Sequence, residues 1–593
     1  MRDLRLQVSL VHSKPGTHKV PGFFWPENCI MLRRLPLGSL MKFKKPNART
    51  NPALKFTDAQ CQKAVQLINQ QNYDQALGVL DSILKSHPEH RLAKRSKPVA
   101  LFHLGRHHEA AQLFHQLHEK DPEDLVILKH CGIAYIAVGA FDLAIRFLSR
   151  YVKSKPNDFD AWASLSAAAG KSQKYVDAMM YATKALSLEP TNPDAYNNLG
   201  ATLLGVDKLN EAAKAFETAL VLDKNNVDAL SNLSTLAEKR GDYEAALVLY
   251  NNLLDRLDHR TTFAKEVLYR SSFSHLATGR LAEGWRRYDF GFVPTDLGSR
   301  TPKRQFQVPQ WRGEPLGDKR LLIWGEQGLG DELWFFGLLN EALEHCHNVI
   351  VECEPRLVSL MARSFPEVKV RPINLSSMML MDSQDFDVHI PVGSLMALFR
   401  NNIEDLKKFK PYLQADTDLI VDFSERLMPF KGKKLMGLCW RSGKLDANRN
   451  KHYLPLDELA PLLKLEDCIF VNLQYGDCEE ELCRVEKQLD ISIVRWGDVD
   501  LKNDQESVAA IISCLDAVVS AGTAVAQMAI AIGQKTMLFG PRGGWTSLGQ
   551  EQYPWGSSVH SFSPKPDNEL NSVVPKILEH ISDNLIASEL IEG

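Results

Sequence analysis

One spacing constrains this chain more than any other feature. Alanine recurs every 34 residues, at Ala76, Ala110, Ala144, Ala178, Ala212 and Ala246. Proline stands twelve residues after the first four of these, as Pro88, Pro122, Pro156 and Pro190. A large residue usually lies four after the alanine, as Leu80, Phe114, Leu148, Phe216 and Tyr250, and Gly132 and Gly200 lie twelve before theirs. A fixed period of this length restricts the chain to a stack of like units, because a single unit cannot bury its apolar face alone. The small alanine lets the two helices of a unit approach closely. The large residue fills the groove toward the next unit. Proline stops the second helix and begins the turn.

This pattern resembles the tetratricopeptide repeat, a two-helix unit of 34 residues. Six repeats cover about Phe56 to Leu257, and a degenerate seventh carries Gly284 at the alanine position of LAEGWRRYDF. Such an array presents a concave surface suited to a peptide or protein partner; the other reading is a spacer or dimerisation arm. Asn197, Asn198 and Asn232 fall on first helices at inward-leaning positions, where they could hydrogen-bond an extended peptide or simply be solvated.

At 593 residues the chain exceeds one core. A net charge of −3 supplies no basic field of the kind that nucleic acid attracts. The ten cysteines form no C-x-x-C pair, which reads as reduced thiols in a cytoplasmic protein and not as a disulfide framework or zinc site. No apolar run reaches the length of a membrane span. The first 50 residues are rich in Lys and Arg, with Asp3 and Glu27 as the only acids, and Pro15, Pro21, Pro26 and Pro36 interrupt them. Residues 1–54 therefore read as a basic, disordered leader, or as translation from a start upstream of Met41.

The array is expected to occupy residues 55–292 and a polar, Pro/Gly-rich linker residues 293–318. Beyond it the pattern changes to alternating strands and helices, which implies parallel sheets with helices on both faces. A first Rossmann-like domain is expected over 319–415, with strands at Leu321–Trp324, Asn348–Glu352, Val368–Ile373 and Phe386–Val392. A second is expected over 416–593, with strands at Leu435–Trp440, Cys468–Gln474, Ile491–Trp496, Ala517–Ala521 and Lys535–Gly540. A terminal helix over Asn571–Leu585 is expected to cross back over the first domain.

Several strand-end loops carry chemistry. Gly325, Gly328 and Gly330 punctuate GEQGLGDE, after which Asp331 and Glu332 open a helix, the arrangement in which backbone N–H groups face a ligand. It lacks the G-x-G-x-x-G spacing of a dinucleotide-dependent oxidoreductase. The loop RSGKLDANRNKHY brings Arg441, Ser442, Lys444, Arg449, Lys451 and His452 to one strand end, a cation density that suits a diphosphate, although charged loops are often only solvated. Gln474, Gly476 and Asp477 are placed to reach a ribose or base. Gly522, Thr523, Ala524 and Val525 form a small-residue helix start that either closes on a phosphate or merely packs. Arg542 and Trp545 are placed at the cleft mouth. The strings Asp385-Phe-Asp387 and Asp498-Val-Asp500 are short enough to be chance, and no metal site is expected.

Four segments together resemble the metal-independent glycosyltransferases of GT-B architecture, and within them the ADP-heptose:lipopolysaccharide heptosyltransferases and their bacterial cousins fused to tetratricopeptide repeats. The segments are Gly325–Glu332, Arg449–Leu456, Phe470–Asp477 and Gly522–Gly533, and the resemblance covers about Pro309 to Phe562. It implies a multidomain protein, an all-α repeat solenoid followed by an α/β GT-B fold of two Rossmann-like domains. It implies that Asp331 acts as general base on the acceptor hydroxyl, that Lys451 contacts the donor phosphates, and that Thr523, Ala524 and Val525 hold the pyrophosphate. Two positions depart from the family: Gly522 where Asp is usual, and Gln527 where His is usual.

The expected reaction is inverting, metal-independent transfer from a nucleotide-diphosphate sugar to a hydroxyl of a protein, peptide or glycan acceptor, with no cofactor. Asp331 takes the acceptor proton. Lys451 with Arg441 or Lys444, and the backbone amides at Thr523, meet the charge growing on the leaving diphosphate. The repeats recruit the acceptor or a protein partner. The competing expectation is a non-catalytic scaffold for protein–protein interaction with a degenerate transferase domain, which Gly522 and Gln527 favour.

Overall fold

The structure is a computed structural model. It describes residues 52–292, 300–302, 304–373, 385–443, 452–541, 543–565 and 569–586. Among these residues the chain forms two compact units, one ending at Arg256 and the other beginning at Leu257.

The first unit is a stack of helix pairs: Pro52–Asn69 with Tyr73–Ser86, Arg91–His103 with His107–Lys120, Leu125–Ala137 with Phe141–Ser154, Phe159–Lys171 with Tyr175–Leu188, Pro193–Gly205 with Leu209–Leu222, and Val227–Lys239 with Tyr243–Leu254. All six periodic alanines are completely buried, as are Leu80, Phe114, Leu148, Phe216 and Tyr250. The upstream glycines have a steric cause. A Cβ on Gly200 would fall 2.6 Å from the Phe216 ring, and one on Gly132 would strike Leu148. The first helices begin on side-chain caps, with Asp124, Asp158, Asn192 and Asn226 each accepting from a backbone N–H of the first turn. These caps satisfy donors that a helix start leaves unpaired.

The second unit opens with two helices, Thr262–Ala277 and Leu281–Tyr288, which the repeat pattern assigned to a degenerate seventh unit after four extra residues. Their apolar faces share one core with the α/β layers: Tyr269, Trp285 and Tyr288 are buried together with Leu333, Phe335 and Leu395. The boundary thus falls at Leu257, not after residue 292. The segment read as a linker is corrected as well. Arg300, Trp311 and Leu316 are buried, and Gln310 bridges His389. Proline and glycine there shape a packed segment whose partners are distant in sequence.

Two parallel sheets follow. β1 (Leu321–Trp324), β2 (Val349–Cys353), β3 (Lys369–Pro372) and β4 (Val388–Pro391) lie in the order β3-β2-β1-β4. β5 (Lys434–Cys439), β6 (Cys468–Asn472), β7 (Ala517–Ala521), β8 (Thr536–Phe539) and β9 (Val559–Phe562) lie in the order β6-β5-β7-β8-β9. The expected strand Ile491–Trp496 contributes only the bridge of Val494 to Val471. β9 was not foreseen. The terminal helix Val574–Ile581 does not cross to the first sheet; its Val574, Ile577 and Ile581 enter the core of the second with Met436, Leu438 and Trp440.

Strand order locates the sites open to ligands. In such sheets the crevice opens at the carboxyl ends where the winding reverses. That point lies between β1 and β4 in the first sheet, and between β5 and β7 in the second. The loops concerned are Gly325–Gly328, Val392–Ser394, Trp440–Gly443 and Gly522–Thr523.

Candidate functional site

Helix Leu329–Phe335, which follows β1, packs on helix Ala524–Ile532, which follows β7. The approach is close because both starts are small: a Cβ on Gly330 would lie 3.4 Å from the Ala524 Cα. The chain joining the two sheets fixes the same contact, since the Tyr412 and Leu413 N–H groups both donate to the Ala531 carbonyl, at 2.8 and 3.0 Å.

Buried side chains of its own hold the glycine loop. Glu326 is only 1% exposed; it pairs with Arg300 through both oxygens, one at 2.6 Å from Nε, and accepts from the Gly393 N–H at 2.9 Å. Arg300 is enclosed between the Tyr288 and Phe292 rings and also reaches Asp289 and Ser394. Burial pushes the Glu326 carboxyl up, and Arg300 pulls against it. Glu332 lies on the other side of the loop. It accepts from the Glu354 N–H at 2.7 Å and occupies the space a Cβ on Gly325 would need, and burial pushes its carboxyl well above the ordinary range. Between them Gln327 adopts φ +71°, a backbone state uncommon for a side-chain-bearing residue and frequent at functional sites. Its Nε2 donates to the Tyr288 hydroxyl at 2.5 Å, and its side chain also bonds the Tyr269 phenol.

Asp331 is half-buried next to this loop. Its charge bears on three phenols, Tyr269, Tyr288 and Tyr553, each of which burial pushes upward. Tyr553 in turn accepts from Gln527 Nε2 at 3.0 Å, so the position where the family has His belongs to the same group. Trp545 from the loop after β8 stacks on Tyr288, with ring centroids 6.1 Å apart, and meets Trp334 at 5.1 Å. The result is a carboxylate set among hydroxyl and amide groups inside an aromatic wall, which suits a hydroxyl-bearing ligand.

The residues of the second sheet are engaged differently. The Thr523 hydroxyl turns inward, 3.3 Å from Ser520 Oγ and 3.5 Å from Cys439 Sγ. Val525 is buried and Ala524 half-buried. Gly522 is exposed, and a Cβ there would meet nothing within 4 Å. Arg441 is committed to Glu481, at 3.1 and 3.2 Å, and to the Asp477 carbonyl. Gln474 is 1% exposed and caps the end of β5 by accepting from the Trp440 and Arg441 N–H groups, so its part is structural. Gly476 has φ +86° and lies exposed beside Asp477, and Ser442 hydrogen-bonds the Tyr475 phenol. Lys444, Arg449, Lys451 and Arg542 lie outside the described residues.

The repeat asparagines are corrected too. Asn197, Asn198 and Asn232 are 0–2% exposed, and Asn232 Nδ2 donates to Asn197 Oδ1 at 2.9 Å. Asn197 and Asn232 thus join neighbouring repeats, while Asn198 is buried with its amide atoms unpaired among the described residues. Sequence reasoning missed Glu326, Gln327, Tyr269, Tyr288 and Tyr553. A signal was present only for the first two, as acid and amide set among glycines. Among the described residues no group of three or more His, Cys, Asp and Glu side chains is arranged to hold a metal ion, and no helix is long and apolar enough to cross a membrane.

Comparison with known proteins supports the repeats. A family model described as "Psidin, N-terminal TPR repeats region" matches residues 60–260. A curated relative, "Protein FlbA" of Caulobacter vibrioides, is 34% identical over 301 residues, which is 48% of this chain and 50% of that protein. The chain thus spans about half the length of the curated relative it matches. Similar solved structures include a thermophilic TPR protein of Thermus thermophilus (20% identity, 27% of this chain and 87% of that one, TM-score 0.25). Others are MamA 41-end from Desulfovibrio magneticus (21%, 28% and 92%, 0.25) and a tetratricopeptide repeat protein from Parabacteroides merdae (12%, 40% and 94%, 0.36). The N-terminal unit of this chain is an array of tetratricopeptide repeats, followed by a region of parallel sheets layered with helices.

Proposed function

We propose that the chain is an inverting, metal-independent glycosyltransferase whose repeats recruit a protein acceptor. One observation carries this reading. Asp331 lies where the switch-point loops of two parallel sheets meet, with Gly330 against Ala524. A donor held on the second sheet would present its reacting carbon to Asp331. The acceptor O–H gives its proton to the Asp331 carboxylate while the oxygen attacks the anomeric carbon. The bond from that carbon to the diphosphate breaks on the opposite face, which inverts the centre. The negative charge passes to the diphosphate, where backbone amides of helix Ala524–Ile532 and the Lys444 and Lys451 side chains stabilise it. Arg441, already paired with Glu481, has a smaller share. The phenols of Tyr269, Tyr288 and Tyr553 and the Gln527 amide surround the acceptor hydroxyl.

A second reading, a protein-binding scaffold with an inactive transferase region, is favoured by the inward turn of Thr523 and by Gly522. One experiment separates them. The full chain is mixed with ADP-, UDP-, GDP- and dTDP-linked sugars, and melting temperature and nucleotide release are followed. A ligand that binds only the folded state raises apparent stability, so one nucleotide class should stabilise the protein and be consumed. No stabilisation by any of them leaves the scaffold.

A further inference from the structure

A cavity of about 270 Å³ lies beside β4 at the edge of the first sheet; Asp331 and the glycine loop are not among its lining residues, although Ser394 of the loop after β4 is. Trp311, Ile390 and Leu398 supply apolar lining, and Arg286, Arg312 and Asn401 bring polar groups to it. We propose that it binds a small organic carboxylate with an apolar body. A mainly apolar lining with a few convergent polar groups is the usual make-up of a small-molecule site, and a volume just below the usual range of about 300–1,000 Å³ restricts the ligand to a small one.

The two guanidiniums are only partly engaged. Arg312 gives Nη1 to Asp289 at 3.0 Å, and Arg286 gives Nε and Nη2 to Glu283 at 2.7 Å each. Their side chains remain 65% and 61% exposed, so N–H donors of both face water. The N–H groups that Asp289 and Glu283 leave unused are the ones open to a ligand, so neither existing pair has to break. A guanidinium fork takes carboxylate and phosphate alike; the apolar lining from Trp311, Ile390 and Leu398 is what favours an acid with an apolar body over inorganic phosphate. Asp289 borders the cavity and also bonds Arg300, the residue that grips Glu326 of the glycine loop. The site therefore stands two ion pairs, Asp289–Arg300 and Arg300–Glu326, from the loop that leads to Asp331.

Isothermal calorimetry on the full chain with benzoate and phenylacetate tests this, with benzyl alcohol and inorganic phosphate as controls. The expected result is a dissociation constant below about 1 mM for at least one acid, weakened more than about tenfold in the double variant Arg286→Gln/Arg312→Gln. Ala282→Tyr, at an exposed rim position, should abolish binding without altering charge. Melting curves of the variants should match the parent, since all three positions are exposed. The proposal is overturned if neither acid binds, if benzyl alcohol or phosphate binds equally well, or if affinity survives in either variant. None of these outcomes depends on whether sugar transfer occurs.

Discussion

In the repeat unit, buried polar contacts recur with the period: Arg95 pairs with Asp124, Lys129 with Asp158 at 2.8 Å, and Asn197 with Asn232. In the α/β unit they converge on one loop, where Glu326, Gln327 and Glu332 fix the backbone that leads to Asp331. The difference has a physical basis. A stack shares its stability among equivalent interfaces, so no single pair dominates. A loop that must hold one carboxylate in place concentrates buried charge, and removing one member leaves its partner stranded.

The largest effect is expected at the end of that loop. Asp331→Asn should lower sugar transfer by about 10²–10⁴-fold, the range associated with a general base, while nucleotide binding, followed by calorimetry with the active nucleotide sugar, stays within a few fold. Retained turnover would remove Asp331 from the role of base. Next comes the clamp. Glu326→Ala leaves Arg300 buried without its main partner and should cost about 3–5 kcal/mol, read as a fall in the denaturant midpoint of the α/β unit. If the midpoint barely moves, the loop is not held by this pair, and the contrast with the repeats fails.

The repeat unit gives a pH-dependent counterpart. His130 is buried, stacks on Phe114 and bonds the Val126 carbonyl through Nδ1 at 2.6 Å. Burial holds its imidazole down at about 4. A base depressed in the folded state binds its proton more readily when unfolded. The stability it contributes is complete above the ordinary histidine value and is lost as pH falls from about 6.5 toward 4. The loss amounts to about 3 kcal/mol over that window. Helical melting by circular dichroism should be visibly lower at pH 4.5 than at pH 7, and His130→Gln should narrow the gap. An unchanged gap would assign the acid sensitivity elsewhere; His103 and His118 are also held down by burial.

The same contrast governs what could be read from the residues alone. The repeats were legible because each decisive contact is local and recurs, as with Gly200 and Phe216 within one helix pair. The buried strands showed as apolar runs, and strand order then singled out the glycine loop and the Gly522 loop. β9 was illegible because VHSF alternates without an apolar run. Ile491–Trp496 has strand composition but lies at the sheet edge, where only Val494 pairs. The seventh helix pair kept the repeat motif, four residues out of period, while its Trp285 and Tyr288 faces joined another core. The Glu326 clamp could not be foreseen, since Arg300 is 26 residues away and Gly393 is 67. Nor could the group around Asp331, whose phenols come from a helical hairpin and from the loop before β9.

The smallest expected effect tests the second loop, where little is clamped. Gly522 is exposed with open space at its Cβ position and a backbone any residue adopts. Gly522→Asp, which restores the residue usual in the resembled family, should therefore change stability by less than about 0.5 kcal/mol. A larger loss would mean that the loop is packed as tightly as the one after β1, and the asymmetry between the two would vanish. If stability holds, the variant isolates chemistry from folding. A carboxylate beside the helix start can hydrogen-bond a sugar hydroxyl but also repels a diphosphate, since like charges at this range disfavour each other. A change in which nucleotide sugar is consumed, with the melting curve unaltered, would assign donor choice to position 522. The same donor preference at the same rate would move that choice to other residues of the cleft.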